Sequence, residues 1–582
     1  MQNSVLPQYV RIGINMEFWD WLVIAIYCAT VLAIGLYLKK RADKSTDSFF
    51  LSSRSLPWWL AGTSMVATSF ASDTPLLVTG AVRKSGVMGN WNWWCLGISH
   101  VLAIFFFSKL WRRTGVLTEV EFCEQRYSGK SAAVLRGTKA VYFGVILNSL
   151  VIGAWPLTGL VKVMDVSTGW DKGTAIFVCG GIALIYSVFS GFWGVVVTDL
   201  IQFIIAMVGS VFLAILAVNH PDVGGLSGLR HHFSGTETLN FFPSTMDNPL
   251  FLSIMGFLLI QWWAFKNSDG GGVIVQRMLA CRDEKESLKA TLWFTVAHYI
   301  LRSWPWILTA LASMIILPEV FNSKGVADQE MAYPMLMMKL LPVGLRGMMI
   351  AAFLAAFMST VDTQLNWGGS YLVNDLYRRF IKKNGDEKHY MLISRLITLM
   401  LMGLSVLVAY KTKSIKESFE SILVFTSGVG VVYLLRWFWW RVNAWTEITG
   451  MIVSGFAFLL AGYCGVEHGT YRLMIVVSSS LVLCVLVTYL TQPVNRDVLI
   501  RFYKKVLPPG PGWNHIANAA DTGEDAPSLV PGLINWGIGV VALYSGLFGV
   551  GAVFLNGWGQ AFLPLLLSVL AGALVWRRRN LG

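Results

Sequence analysis

SMVATSFASDTPLLVTG, residues 64–80, is an apolar run of nearly membrane-spanning length with Ser72, Asp73, Thr74 and Pro75 near its middle. Pro75 removes a backbone donor and disfavours helical geometry at Thr74, so a helix through this run is expected to break there. A second stretch, LLIQWWAFKNSDGGG at 258–272, behaves alike: a short apolar run meets Asn267, Ser268, Asp269 and three glycines. Those residues resist helix and leave backbone carbonyls free for ligands. Unpaired backbone survives at lipid depth only where it is buried in protein or lines a cavity, so both breaks point at a site.

Outward from these runs, the 582-residue chain is 55% hydrophobic and 14% charged, with mean hydropathy +0.58, too apolar for a core in water. Cutting it into apolar runs long enough to cross lipid gives about 15 transmembrane helices. The broken runs are the second and the seventh, five apart, so they traverse the bilayer in opposite directions. That spacing predicts an all-α integral membrane protein with a five-plus-five inverted-repeat core and flanking helices. The expected parts are an amino-terminal flanking helix (1–56), a first repeat (57–218), an extracellular loop (219–249) and a second repeat (250–445). Additional helices (446–491), a cytoplasmic linker (492–530) whose Pro-rich part 504–530 reads as flexible, and two carboxyl-terminal helices (531–582) complete the chain.

A net charge of +13 raises the question of nucleic acid, but the basic residues fall mostly on alternate loops, which reads as orientation. No nucleic-acid partner is expected. The amino terminus is placed outside and the carboxyl terminus in the cytoplasm, in a multi-pass protein of the cell inner (plasma) membrane. The first run lacks a small-residue cleavage site and leads into Lys39, Lys40 and Arg41, so no removable leader is expected. The seven cysteines show no Cys-x-x-Cys spacing and read as small apolar residues.

An acidic side chain at the bilayer centre costs about 2.5 to 3.5 kcal/mol on insertion scales, so it needs a partner or a task. AAFLAAFMSTVDTQLN (351–366) puts Ser359, Asp362 and Thr363 on one helical face, with Thr360 beside them and Ala356 a turn back. Hydroxyls and a carboxylate suit a hard cation such as sodium, although such hydroxyls also bond back to their own helix. Asp199, a few residues into the sixth run, either supplies the site's negative charge or is a carboxylate at a helix amino terminus. Asp73 has three roles open to it: coordinating an ion, holding a substrate hydroxyl or amine, or capping the second half-helix. Arg302 shares a helical face with His298 and either grips a substrate carboxylate or pairs with a structural acid.

With SFFLSSRSLPWW (48–59), the Asp199 and Gln202 of TDLIQF, the Gln276–Arg277 pair, and AAFMSTVDTQLN leading to NDLY, the chain resembles the sodium/solute symporter family over about residues 15 to 495. That family includes sodium-coupled sugar, proline, sialic acid and pantothenate carriers. The resemblance implies a leucine-transporter-like core and a principal sodium site at Ala67, Phe70, Ala356, Ser359 and Thr360. It places a second sodium or proton site at Asp199, Asp362 and Thr363, with Ser359 shared. Substrate-binding positions fall on Asp73, Thr74, Asn148 and Gln261, with Arg302 near a position where sugar carriers have lysine. The departure at ASDTP leaves the solute open.

The expected function is therefore sodium-coupled import of a small polar organic solute by alternating access, a neutral sugar-like solute being favoured. The partners are that solute and the lipid bilayer; the coupled ion is sodium. A small carboxylate or amino acid, carried with sodium or with protons, is the alternative. A membrane-embedded enzyme is disfavoured, since no HExxH, nucleophile elbow or phosphate loop occurs.

Overall fold

The computed structural model describes residues 16–42, 54–189, 192–321, 325–520 and 526–579. Most of the amino-terminal segment before the first helix, the start of SFFLSSRSLPWW and the acidic stretch 521–525 lie outside the described residues.

Both expected breaks are present. Helix α1 is Phe18–Ala42; α2 (Trp58–Thr68) stops short of the Asp-Thr-Pro step, and α3 (Thr74–Ser85) restarts with Pro75 in its first turn, where a missing N–H does no harm. The gap is stitched locally: Phe70 N–H donates to Ala67 O (2.9 Å), Ala71 N–H to Thr74 Oγ1 (3.1 Å), and Ser72 Oγ to Pro156 O (2.6 Å). Asp73 precedes α3, but its carboxylate makes no cap bond. Capping is thereby removed from its three candidate roles.

After α3 come a short helix Val87–Trp94 and α4 (Gly97–Thr114), bent by 41° to each other. Next in order are α5 (Gly129–Thr168), α6 (Lys172–Phe189) and α7 (Phe192–Val218). Helix α8 (Phe251–Ala264) ends at Phe265, and α9 (Gly272–Ala280) begins after a loop in which Gly270 (φ 110°) and Gly271 (φ 62°) hold backbone angles that favour glycine. The second half of the core is α10 (Glu284–Ile316), α11 (Leu345–Ile381), α12 (Glu387–Lys411), and α13 (Ile415–Phe425) with α14 (Ser427–Phe438), the last two bent by 46°. Helices α15 (Ala444–Tyr463), α16 (Gly469–Leu490), α17 (Arg496–Val506), α18 (Val530–Leu555) and α19 (Trp558–Arg579) complete the chain.

Among the described residues, nine helices are long and apolar enough to cross a membrane, two bent pairs do so together, and three shorter apolar helices are present. With the broken pair α2/α3 these match the number of spans expected. Every named element is helical.

The packing sets the breaks face to face. Helix α7 lies against α2, α10 and α11, while α10 packs along α2 and α4. Asp20 of α1 accepts N–H bonds from Gly344 (2.7 Å) and Gly347 (2.9 Å), satisfying amide donors at the start of α11 that its own helix cannot. One expectation is corrected. The segment 492–530 is not a free linker over its described length: α17 is amphipathic, and Trp513 is buried beside Phe502 and Tyr503 with its indole N–H on Trp437 O (2.7 Å). Four apolar residues of α17 and the Trp513 ring supply the buried surface that a free linker lacks.

Candidate solute and ion sites at the two helix breaks

Between the breaks lies a cavity of about 210 Å³, lined by residues of α2, α3, α4, α5, α10, α11 and the 265–272 loop. Asp73, Thr74 and Arg302 line it, with His100, His298 and Tyr299 on one side and Lys266, Asn267 and Gln364 on another. The rings of Trp93, Trp155, Phe265 and Trp367 form much of its apolar wall.

Asp73 Oδ1 is buried and has no hydrogen-bond partner, an arrangement that is costly unless a ligand supplies a donor. Arg302, by contrast, is engaged. Its guanidinium donates to Val66 O (2.9 Å) at the end of α2 and to Ser69 Oγ (3.3 Å), and it contacts His298 Nδ1 at 2.6 Å. It thus satisfies a carbonyl freed by the break; only its Nε is buried without a partner. Thr74 Oγ1 is taken up by Ala71 N–H.

Two residues proposed for the solute site are not among those lining this cavity. Asn148 Nδ2 donates to Gln364 O (2.9 Å), joining α5 to α11 outside the cavity lining. Gln261 Nε2 donates to Ser427 Oγ (3.0 Å), and the side chain lines a separate cavity of about 160 Å³ beside α13 and α16. Each lies at a run of π-helical turns, 142–147 and 257–261.

The ion-site residues converge more closely. Asp199 of α7 accepts from Ser64 Oγ of α2 (2.6 Å) and, through its other oxygen, from Ser359 Oγ of α11. Arg277 of α9 lies 3.8 Å from Asp199, and donates to Ser64 Oγ (3.2 Å), Thr68 Oγ1 (3.0 Å) and Thr363 Oγ1 (3.0 Å). Thr360 Oγ1 faces Thr68 O at 3.4 Å, across the gap where α2 ends, and Asn366 Nδ2 donates to Asp362 Oδ1 (3.3 Å). Ala67 O already accepts one N–H, from Phe70, whose ring stacks on Trp306. Ala356 is buried on the same helix as Ser359. One network therefore ties both half-repeat breaks to α7 and α11.

Asp199 and Asp362 both attract the Arg277 guanidinium, and all three groups are buried. The carboxylate, hydroxyl and carbonyl oxygens gathered here are the donors a hard monovalent cation takes. Ser64, Thr68 and Arg277 were not singled out as site residues from sequence. Arg277 was visible as half of a motif, but nothing in its spacing told that it would meet Asp199.

A second buried ion cluster anchors the 265–271 loop. Arg436 of α14 pairs with Asp269 (2.6 Å), Glu119 (3.5 Å) and Glu447 (3.5 Å); Glu447 also binds Lys139 (2.5 Å) and Tyr127 OH (2.5 Å). Trp437 Nε1 adds a bond to Asp269 Oδ2 (2.8 Å), and Trp111 Nε1 one to Asp269 O (2.9 Å).

Comparison with known proteins agrees with this architecture. The family profile "Sodium:solute symporter family" matches residues 49–454. A sodium/glucose cotransporter of Vibrio parahaemolyticus is 26% identical over 479 residues, covering 76% of this chain and 84% of its own. Sodium/glucose cotransporter 1 of Mus musculus is 27% identical over 566 residues, covering 86% and 82%. Among solved structures, a substrate-bound, outward-open Na+-coupled sialic acid symporter superposes with a TM-score of 0.66 at 23% identity, covering 82% of this chain and 99% of that one. That likeness shows a shared leucine-transporter-like fold.

Proposed function

The chain belongs to the sodium:solute symporter family, and from that premise we propose that it imports a neutral, hydroxylated, sugar-like solute together with sodium. It is a multi-pass membrane transporter and a sodium-coupled solute symporter, not an enzyme.

The observation that carries the solute reading is Asp73 Oδ1, buried beside the cavity with no donor. A sugar hydroxyl is such a donor, and the surrounding rings suit the apolar faces of a pyranose. Arg302, committed to Val66 O and His298, has less to offer an anion. The sodium/glucose names of the relatives point the same way. A small carboxylate or amino acid is the second reading, favoured by the unpartnered Arg302 Nε and by Lys266 in the lining.

In the proposed cycle, sodium enters among Ala67, Phe70, Ala356, Ser359 and Thr360, with a second cation or proton position at Asp199, Asp362 and Thr363. Ion binding draws the end of α2 toward α11 and fixes the break that carries Asp73. Solute then binds a prearranged site, and the repeats 57–218 and 250–445 rock about it to expose both ligands to the other side. Each ligand raises the other's affinity by the same factor. The excess of basic residues on alternate loops orients the carboxyl terminus toward the cytoplasm.

The test is uptake into proteoliposomes under an inward sodium gradient, with labelled glucose and galactose against sialic acid and proline. A sugar should accumulate, and Asp73→Asn should weaken its apparent affinity about tenfold, the value of a hydrogen bond to a charged acceptor. Accumulation of only the carboxylates would overturn the sugar reading and leave the second.

A further inference from the structure

We infer that the carboxyl-terminal hairpin α18–α19 builds a binding site for one anionic phospholipid against α4 and α10. A crevice of about 310 Å³ lies between these helices, walled by Phe105, Leu288, Leu292, Val296, Leu543 and Trp576 among others. Its two hydroxyls are already bonded within the protein, Thr295 Oγ1 to Thr291 O (2.8 Å) and Ser568 Oγ to Ala542 O (2.7 Å). Nothing in the wall asks for a polar guest. Leu292 and Trp576 are exposed, so the crevice opens to the lipid side. A Cβ added at Gly572, within the lining, would meet no atom within 4 Å, so the space is open there and not merely a seam between helices.

One end of the crevice is cationic. Ile300 and Ser568 meet at Gly546, which fixes that end as the one far from Leu288 and Trp576. At the opposite end Ser287 Oγ donates to Ser108 O (3.0 Å), bringing the turns that carry Lys109 and Lys285 together. Lys289 lies one turn on, on the same face as Leu292, and the exposed Arg577 and Arg578 come directly after Trp576. Arg578 is held there by Asn535 of α18 (3.0 Å). Three acids share this end, but Asp283 caps α10 by accepting from Glu286 N–H (2.9 Å), Glu284 is paired with Arg113, and Glu286 with Arg282 and Lys289. An apolar slot with Lys109, Lys285, Lys289, Arg577 and Arg578 carried on the turns at one end of it has the polarity of a glycerophospholipid with a negative headgroup.

The site is tested by native mass spectrometry of the full chain, delipidated and then offered phosphatidylglycerol or phosphatidylcholine at equal concentration. Wild type should retain one phosphatidylglycerol in preference to phosphatidylcholine. Lys285→Gln with Lys289→Gln, at an exposed and a half-buried position, should lower that preference about fivefold for each charge removed. Gly572→Phe should abolish retention of either lipid. Equal retention of the two lipids by wild type, an undiminished preference in the double lysine variant, or a dimer displaced by Gly572→Phe with no lipid lost would each overturn the proposal.

Discussion

Replacing Asp199 by Asn tests the ion network at its most connected point. The carboxylate accepts from Ser64 and Ser359 and faces Arg277 at 3.8 Å, with no exposure to solvent. The amide keeps the shape and one acceptor oxygen but removes the charge. At an effective dielectric of about 20, a unit charge about 5 Å from a bound cation contributes about 3 kcal/mol, more than a hundredfold in affinity. Binding of radioactive sodium to the purified protein by scintillation proximity reads this directly. The expected result is loss of saturable sodium binding over the range that saturates wild type, with the helical circular dichroism spectrum retained. A folded Asp199→Asn protein that binds sodium as tightly as wild type would refute the charge argument.

Other perturbations reach different parts of the structure. Arg436→Met leaves Asp269 and Glu447 buried without their guanidinium partner; a loss of about 3 to 5 kcal/mol is expected in thermal unfolding, and much less when Asp269→Leu is added. Gly159→Ala drives a Cβ to 2.6 Å from the Asp73 backbone, so it should destabilise by about 1 to 3 kcal/mol and weaken solute binding without changing sodium binding much. Glu330 lies outside the spans; burial alone would raise its carboxyl, but the Lys162 ammonium and the amides of Lys416 and Ile415 outweigh this and hold it below the usual carboxylate range. A depressed folded value means that the stabilisation is present above the unfolded carboxylate's range and is lost as pH falls through the folded value. The melting temperature should therefore drop on strong acidification in wild type, and less steeply in Glu330→Gln.

The architecture was legible because its signals are local. Pro75 after Asp73-Thr74 and the glycine run 270–272 interrupt helices wherever they stand, and the interval between them carries the inverted repeat. Ser359 and Asp199 were legible as chemistry unusual at lipid depth, and the structure joins them. Arg277 was not, because its meeting with Asp199 depends on how α9 packs against α2 and α11, which no spacing along the chain encodes. Asn148 and Gln261 were placed by the family resemblance and not by spacing, and the structure shows only that their amides bond Gln364 O and Ser427 Oγ. The buried Trp513 shows the limit of composition, since a Pro-rich stretch reads as a linker until one large ring finds a pocket.

Sodium coupling, the claim on which the rest depends, is most directly tested by titrating sodium into the purified wild type and Ser359→Ala proteins while following tryptophan fluorescence, with potassium holding ionic strength. The 25 tryptophans include Trp306, stacked on Phe70 beside the break, so ion binding has a reporter close by. The account predicts a saturable change with sodium alone, moved to higher concentration in Ser359→Ala. Equal responses to sodium and potassium in both proteins would contradict it.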